Sequence, residues 1–360
     1  MSSALWIGLA AAGLSLAAVC LFLLYVYVRY APIILRIFEE KPLFFPLRSA
    51  PTGDGEDVRF ATADGLTLAG TYFKTNAGRR LGVVVFCHEY LGDRWSVIPY
   101  VGHLRDLGFD LFSFDFRNHG QSDLEPAYEP LQWLTQHELA DLRAALKYVR
   151  SRPDADLAGV GLFGVSRGGC ASLCVGGKDP GVWGVTTDGA FPTRGTMLAY
   201  ILRWAEIYVG SKTFWRNVPI QAYHFLAWSS RKRVQRKLNC RFPDVERGTA
   251  RLAPRPLFMI HGEKDSYIGP DIARGLFAAA GEPKELWIVP KAKHNRCREV
   301  AGAEYSERVA AFFLANAPRV SKPVDRTAER KPREVAAAGV APTAIPAIEP
   351  AAAGSNVLSH

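Results

Sequence analysis

Between Asp57 and Asn295 the sequence alternates short apolar runs with segments of helical periodicity, and this alternation narrows the fold more than any other feature. DVRFATADGLTLAGTYFK reads as two alternating strands around an Asp64-Gly65 turn, a hairpin signal. LGVVVFCH is a β-branched run without polar alternation, as expected of a strand buried on both faces. FDLFSFDFR and LAGVGLFGVS read as further strands. Between them, VIPYVGHLRDLG has helical spacing and ends at Gly108, and HELADLRAALKYVRSR carries an apolar stripe of Leu139, Leu142, Leu146 and Val149. Strand and helix in turn imply an α/β chain with a mostly parallel sheet and helices on both faces.

The alternation pauses over about 191–250 and resumes with RPLFMIHGEKD, ARGLFAAAG and KELWIVPKAKHN. The interrupting segment, rich in Trp204, Tyr208, Phe214, Trp215, Tyr223, Phe225 and Trp228, reads as a helical cap inserted over one end of the sheet. Its aromatics either line an apolar acyl pocket or form the cap's own core. RKRVQRKLNCR, Arg231–Arg241, reads as a solvated cap helix, with a basic patch facing a membrane as the alternative. That segment and the C-terminal tail hold much of the formal net charge of +9. The charge therefore describes local patches and does not point to a nucleic-acid partner. Residues 317–360 are Pro/Ala-rich and free of aromatics, so they bury too little apolar surface to offset ordering and read as a disordered tail. The six cysteines match neither a zinc spacing nor the density of a disulfide scaffold.

Residues 4–28 carry no charge and are long enough to cross the hydrocarbon as a transmembrane helix. No basic residue precedes them, and Phe22, Tyr25, Tyr27 and Tyr30 end the run like an interfacial belt, which favours an anchor over a cleaved signal. Arg29, Arg36, Lys41 and Arg48 follow, so the positive-inside rule places the rest of the chain on the cytoplasmic side. The expected domains are the anchor at 4–28, a linker at 29–57, a main domain at 58–316 and the tail.

In LFGVSRGGC, Ser166 lies between a strand and a run of small residues suited to start a helix close to the sheet. A nucleophile elbow needs that setting, because the sharp turn lifts the hydroxyl above the sheet edge and the helix N-terminus faces developing negative charge. A serine also needs a base and an orienting acid, in the chain order serine, acid, histidine. Asp265 follows the strand RPLFMI and His294 follows ELWIVP, both where a strand's C-terminal end meets a loop. Glu263 and Asp271 are weaker candidates for the acid: the first comes early in its loop, and the second falls in the next helix. No metal or organic cofactor is implied.

CHEYLGDRW, DFRNHGQSD, GVSRGG, HGEKDSYI and AKHN, in that order, resemble the α/β-hydrolase superfamily over roughly Val58 to Ala315. The chain is similar to membrane-anchored bacterial hydrolases of that superfamily. The resemblance implies an oxyanion hole formed by the backbone N–H of Arg167 with that of Tyr90, or less readily Glu89. It implies a membrane-anchored serine hydrolase that cleaves a carboxylic ester or thioester of an apolar or lipid-like small molecule through an acyl-serine. Acyl transfer, peptide cleavage and a non-catalytic tethered binding protein are the alternatives. Two residues depart from the family pattern. Asn118 replaces a glycine and tolerates positive φ. Glu89 also stands where glycine is usual; its carboxylate would oppose an oxyanion unless it pairs with Arg94 or Arg117, and such a pair is expected.

Overall fold

The computed structural model describes residues 3–39, 46–47, 49–208 and 217–318. The hairpin forms as expected: β1 (Glu56–Ala61) and β2 (Thr67–Phe73) pair antiparallel around Gly65, whose φ of 90° suits the turn. The largely apolar runs become strands buried along their whole length, β3 (Gly82–Cys87), β4 (Phe109–Phe114) and β5 (Val160–Val165). With β6 (Val182–Asp188), β7 (Leu257–Gly262) and β8 (Lys284–Val289) they make one sheet in the order β1-β2-β4-β3-β5-β6-β7-β8. From β4 through β8 the strands are parallel, and β2 joins antiparallel.

Successive side chains of a strand serve opposite faces. Val83, Val85 and Cys87 of β3 join one apolar cluster, under α3 (Gln136–Ser151) and α4 (Arg167–Gly176), while Val84 and Phe86 join the other. The second cluster lies under α2 (Val97–Val101) and a C-terminal helix at Ala303–Asn316. VIPYVGHLRDLG is not one continuous α-helix: Gly102, a poor helix former, begins a 3₁₀ turn that runs to Leu107, and Gly108 closes it at φ 106°. α3 starts with a capping box, Thr135 and Glu138 satisfying each other's backbone N–H groups.

Between β6 and β7 lie α5 (Thr193–Tyr208), α6 (Ile220–Lys237) and α7 (Val245–Ala250). Residues 209–216, with Phe214 and Trp215, lie outside the described residues, as do Lys41, Arg48 and all of the expected tail from 319 onward. After β7 comes α8 (Pro270–Ala279), and after β8 come α9 (Cys297–Ala301) and α10 (Ala303–Asn316).

The N-terminal helix α1 runs over Ser3–Glu39 and is long and apolar enough to cross a membrane, with a mean hydropathy of 2.5 over its most apolar 18-residue stretch. It does not end at Val28, so the expected linker is helical in its first third. The cause is an apolar stripe that continues past the expected anchor: Val26, Ala31, Ile34 and Phe38 are buried in the core cluster they share with Tyr223 and Leu226 of α6. Phe38 stacks on Phe242 at 6.0 Å and packs on Trp133 at 5.2 Å. The Phe38→Ala variant is therefore expected to lose about 3–5 kcal/mol of stability. Leu16→Ala, on the exposed part of α1, is expected to change it by less than about 0.5 kcal/mol. Denaturant midpoints of the full chain in detergent check both values.

Candidate active site

Ser166 sits between β5 and α4 with φ 49° and ψ −117°, a strained conformation for a residue with a side chain. It is held there by its own N–H, which donates to Asp188 O at 2.7 Å, and by its carbonyl, which accepts from Cys170 N at 3.0 Å. Its hydroxyl meets His294 Nε2 at 2.9 Å. His294 Nδ1 lies 2.6 Å from Asp265 Oδ2, and because an ionised carboxylate can only accept, Nδ1 carries the proton and Nε2 is free to accept from Ser166. The other Asp265 oxygen takes the backbone N–H groups of Tyr267 (2.9 Å) and Ile268 (2.8 Å), which fixes the carboxylate's orientation. Burial opposes ionisation of Asp265, yet the facing His294, its hydrogen bond and the nearby His261 outweigh it and hold the carboxyl below its usual range. The rival acids lie elsewhere: Glu263 is exposed and accepts from Lys291 N, and Asp271 pairs with Arg274 on α8.

The N–H of Arg167, the first residue of α4, belongs to the group of helix-start donors without an intrahelical acceptor. Opposite it runs the turn after β3. There His88 Nδ1 donates to Glu89 O at 2.7 Å while His88 Nε2 accepts from Phe116 N at 3.1 Å. In a planar trans peptide the N–H points away from the carbonyl, so this bond turns the Tyr90 N–H to the side opposite His88. The Arg167 guanidinium, fully buried, covers the Tyr90 ring at 5.3 Å. It is anchored by Leu131 O (2.8 Å), His119 Nε2 (3.0 Å) and Glu138 (3.3 Å). This second role for Arg167 was not legible in the sequence.

Glu89 corrects the expectation of a salt bridge. Arg94 is taken by Asp115 (2.5 Å) and Gln121, and Arg117 by Asp141 (2.6 Å), Asp64 and Glu125 (2.7 Å each). Asp64, Glu125 and His137 bring metal-ligand atoms within 4.8 Å of one another, but the Arg117 cation bonds to all three and makes the group an ion-pair network. The Glu89 carboxyl is wholly buried and has no hydrogen-bond partner among the described residues; the N–H groups of Glu89 itself and of Leu47 attract it without reaching hydrogen-bond geometry. Burial first, then the like charges of Asp188 and Asp93, push it up to about 8, so at neutral pH it is mostly the uncharged acid. Nor is its backbone strained, because the left-handed φ of this turn falls on Leu91 (63°). Asn118 does adopt a positive φ, 60°, and its amide ties the loop to Glu125 and Tyr128.

Beneath the site Asp188, at the end of β6, is buried and accepts from the Tyr305 hydroxyl at 2.9 Å; burial moves it up to about 6. A narrow cleft beside Ser166 and His294 is walled by Trp133, Phe191, Tyr200 and Tyr267, with Gln132 and Thr196 as its polar members. Of the cap aromatics singled out in the sequence, Tyr223 packs in the core cluster shared with α1 and Trp228 is exposed, and no described one lines this cleft.

The sheet order, the elbow and this chain of hydrogen bonds define the class: an α/β hydrolase fold. The prolyl oligopeptidase family model matches residues 117–318, more than half of the chain, and the chain belongs to that family. An uncharacterized protein of Mycobacterium tuberculosis (strain ATCC 25618 / H37Rv) is 26% identical over 272 residues, spanning 76% of this chain and 84% of that protein. The uncharacterized protein YfhR of Escherichia coli (strain K12) is 26% identical over 266 residues, 72% of this chain and 81% of YfhR. Among solved structures, the Pyrococcus furiosus esterase Pf2001 superposes with a TM-score of 0.56 at 20% identity, covering 78% of this chain and all of that one, a likeness of fold.

Because the folded state holds a Glu89 proton that the unfolded chain releases, stability is untouched below pH about 4 and falls as pH rises from 4.5 toward 8. Glu89→Gln removes the titration. Relative to that variant, the parent is expected to lose on the order of 2 kcal/mol between pH 6 and pH 8, measured by denaturant unfolding at each pH.

Proposed function

We propose that this chain is a membrane-anchored serine hydrolase that cleaves a carboxylic ester or thioester. The observation that carries the reading is the hydrogen-bonded run Ser166–His294–Asp265 at a strained strand-to-helix turn. His294 Nε2 takes the Ser166 proton as Oγ attacks the carbonyl carbon, and Asp265 stabilises the imidazolium that forms. The oxyanion is held by the N–H groups of Arg167 and Tyr90, each such donor supplying ~2.7–4 kcal/mol of transition-state stabilisation. His294 then gives its proton to the leaving alcohol or thiol, and water, deprotonated by the same histidine, releases the acid from the acyl-serine. A neutral Glu89 leaves the oxyanion unopposed at pH 7. The aromatic walls of the cleft suit an apolar acyl group. Arg29 and Arg36 after the span favour the cytoplasmic side.

Membership of the prolyl oligopeptidase family favours peptide cleavage as the second reading. A fluorophosphonate probe is expected to label the parent and to leave Ser166→Ala and His294→Ala unlabelled; an unlabelled parent removes the serine mechanism. Asp265→Asn is expected to lower kcat by about 10⁴-fold, since it loses the acceptor that sets the histidine tautomer. Turnover of acyl esters and thioesters should exceed that of matched peptides, and the reverse ranking selects the peptidase. An alkaline phosphatase reporter fused after Pro51 is expected to be inactive, and activity would place the domain outside.

A further inference from the structure

α1 is two surfaces in one helix. Every residue from Trp6 to Leu21 is exposed, whereas Val26, Ala31, Ile34 and Phe38 are buried against the protein. At 1.5 Å per residue, Ser3 to Leu21 covers about 28 Å, close to the thickness of the hydrocarbon layer. The hydrocarbon boundary then falls near Phe22–Val26, where the aromatic cluster Tyr25, Tyr27 and Tyr30 and the cation Arg29 begin, residue types that sit at headgroup level. Helix α6 starts beside this point, with Tyr223 in the apolar cluster against which Tyr30 packs. Beyond its far end, Phe242 meets Phe38. α6 therefore leads away from the boundary, and its first turn is the part closest to it. That turn exposes Ile220 (46%), and the last turn of α5, one connection earlier, exposes Ile207 (60%).

We propose that this end of the cap, the last turn of α5 with the first turn of α6, is a membrane-contact surface seated in the headgroup layer of the bilayer that α1 crosses. The proposal rests on reading α1 as a span. Two exposed isoleucines gain by leaving water, and the anchor holds them at the interface without a further ordering cost. Distance also excludes the basic run as the contact. Arg231 to Lys237 lie roughly 16–25 Å along α6 from Ile220, beyond the ~8 Å over which headgroup charge acts at physiological salt. α5 links the contact surface to the cleft, since Tyr200 lines the cleft and Ile207 follows about 10 Å further along the helix. A substrate that partitions into the headgroup layer would meet the cap there.

The test is nitroxide depth measurement on the full chain in anionic lipid nanodiscs. Cys20 is exposed and the other five cysteines are buried, so Cys20→Ser gives a background without an exposed thiol. In that background, labels go at Leu14→Cys in the middle of the span, Ile207→Cys, Ile220→Cys and Leu157→Cys; Leu14 is 73% exposed, and Leu157 is 91% exposed and precedes β5, at the opposite edge of the sheet. Near-ultraviolet circular dichroism checks that each variant is folded. Expected is oxygen-dominated collision at 14, nickel-chelate-dominated collision at 157, and a clear loss of chelate access at 207 and 220. Labels at 207 and 220 as open to the chelate as at 157, with the label at 14 deep, overturn the contact surface alone. A water-exposed label at 14 overturns the span and the contact surface with it.

Discussion

The first turn of α4 lies so close to the sheet that a Cβ on Gly168 would stand 2.2 Å from Cys87 O and 2.5 Å from His88 O. Gly164 faces the same turn, where a Cβ would meet Gly168 O at 2.5 Å. Only a chain without side chains at these two places lets helix and strands meet at that distance. The approach forces the connecting residue, Ser166, into a conformation that costs on the order of 1–3 kcal/mol, and the surrounding packing sustains it. It also sets the Arg167 N–H beside the turn that carries Tyr90. The position of the hydroxyl, of His294 within its reach and of the helix-start N–H groups all follow from this one contact.

Around it, three buried arginines hold the loops at the C-terminal edge of the sheet. Arg94 joins the turn after β3 to Asp115, Arg117 joins the loop after β4 to Asp141 on α3, and Arg167 joins α4 to Glu138 and His119. Such pairs add little net stability compared with apolar packing, but removing one partner leaves a buried charge at a cost of about 3–5 kcal/mol. Their effect is to fix where the loops lie. Among the described residues Glu89 belongs to no pair and is accommodated by another route, staying protonated beside Asp188 and Asp93.

The C-terminal half of α1 is part of the wall behind the cleft. Phe38 packs on Trp133, and Trp133 packs edge-on to Phe191 and Tyr200, so contacts run from the helix into the lining of the site. Cap, α1 and cleft share a single apolar cluster.

The strands β3, β4, β5 and β7 were legible in the sequence because each is a short run made mostly of apolar residues. β6 was not: VWGVTTD mixes glycine and threonine, and it becomes a strand because the strands on either side, β5 and β7, supply its hydrogen bonds. Ser166, Asp265 and His294 could be picked out because their places after particular strands are local features that survive in a linear reading. Their 2.6 and 2.9 Å contacts could not, since the serine and histidine are 128 residues apart. The same holds for the buried charges. Arg117 finds Asp64 from 53 residues away, and no sequence pattern says that Glu89 will meet no cation among the described residues. The sequence alone determined the alternation of strand and helix, the small residues of the elbow and the apolar length of α1. Tertiary structure decided which charges meet, which acid stays neutral and where α1 ends, because burial and long-range contact are properties of the folded chain.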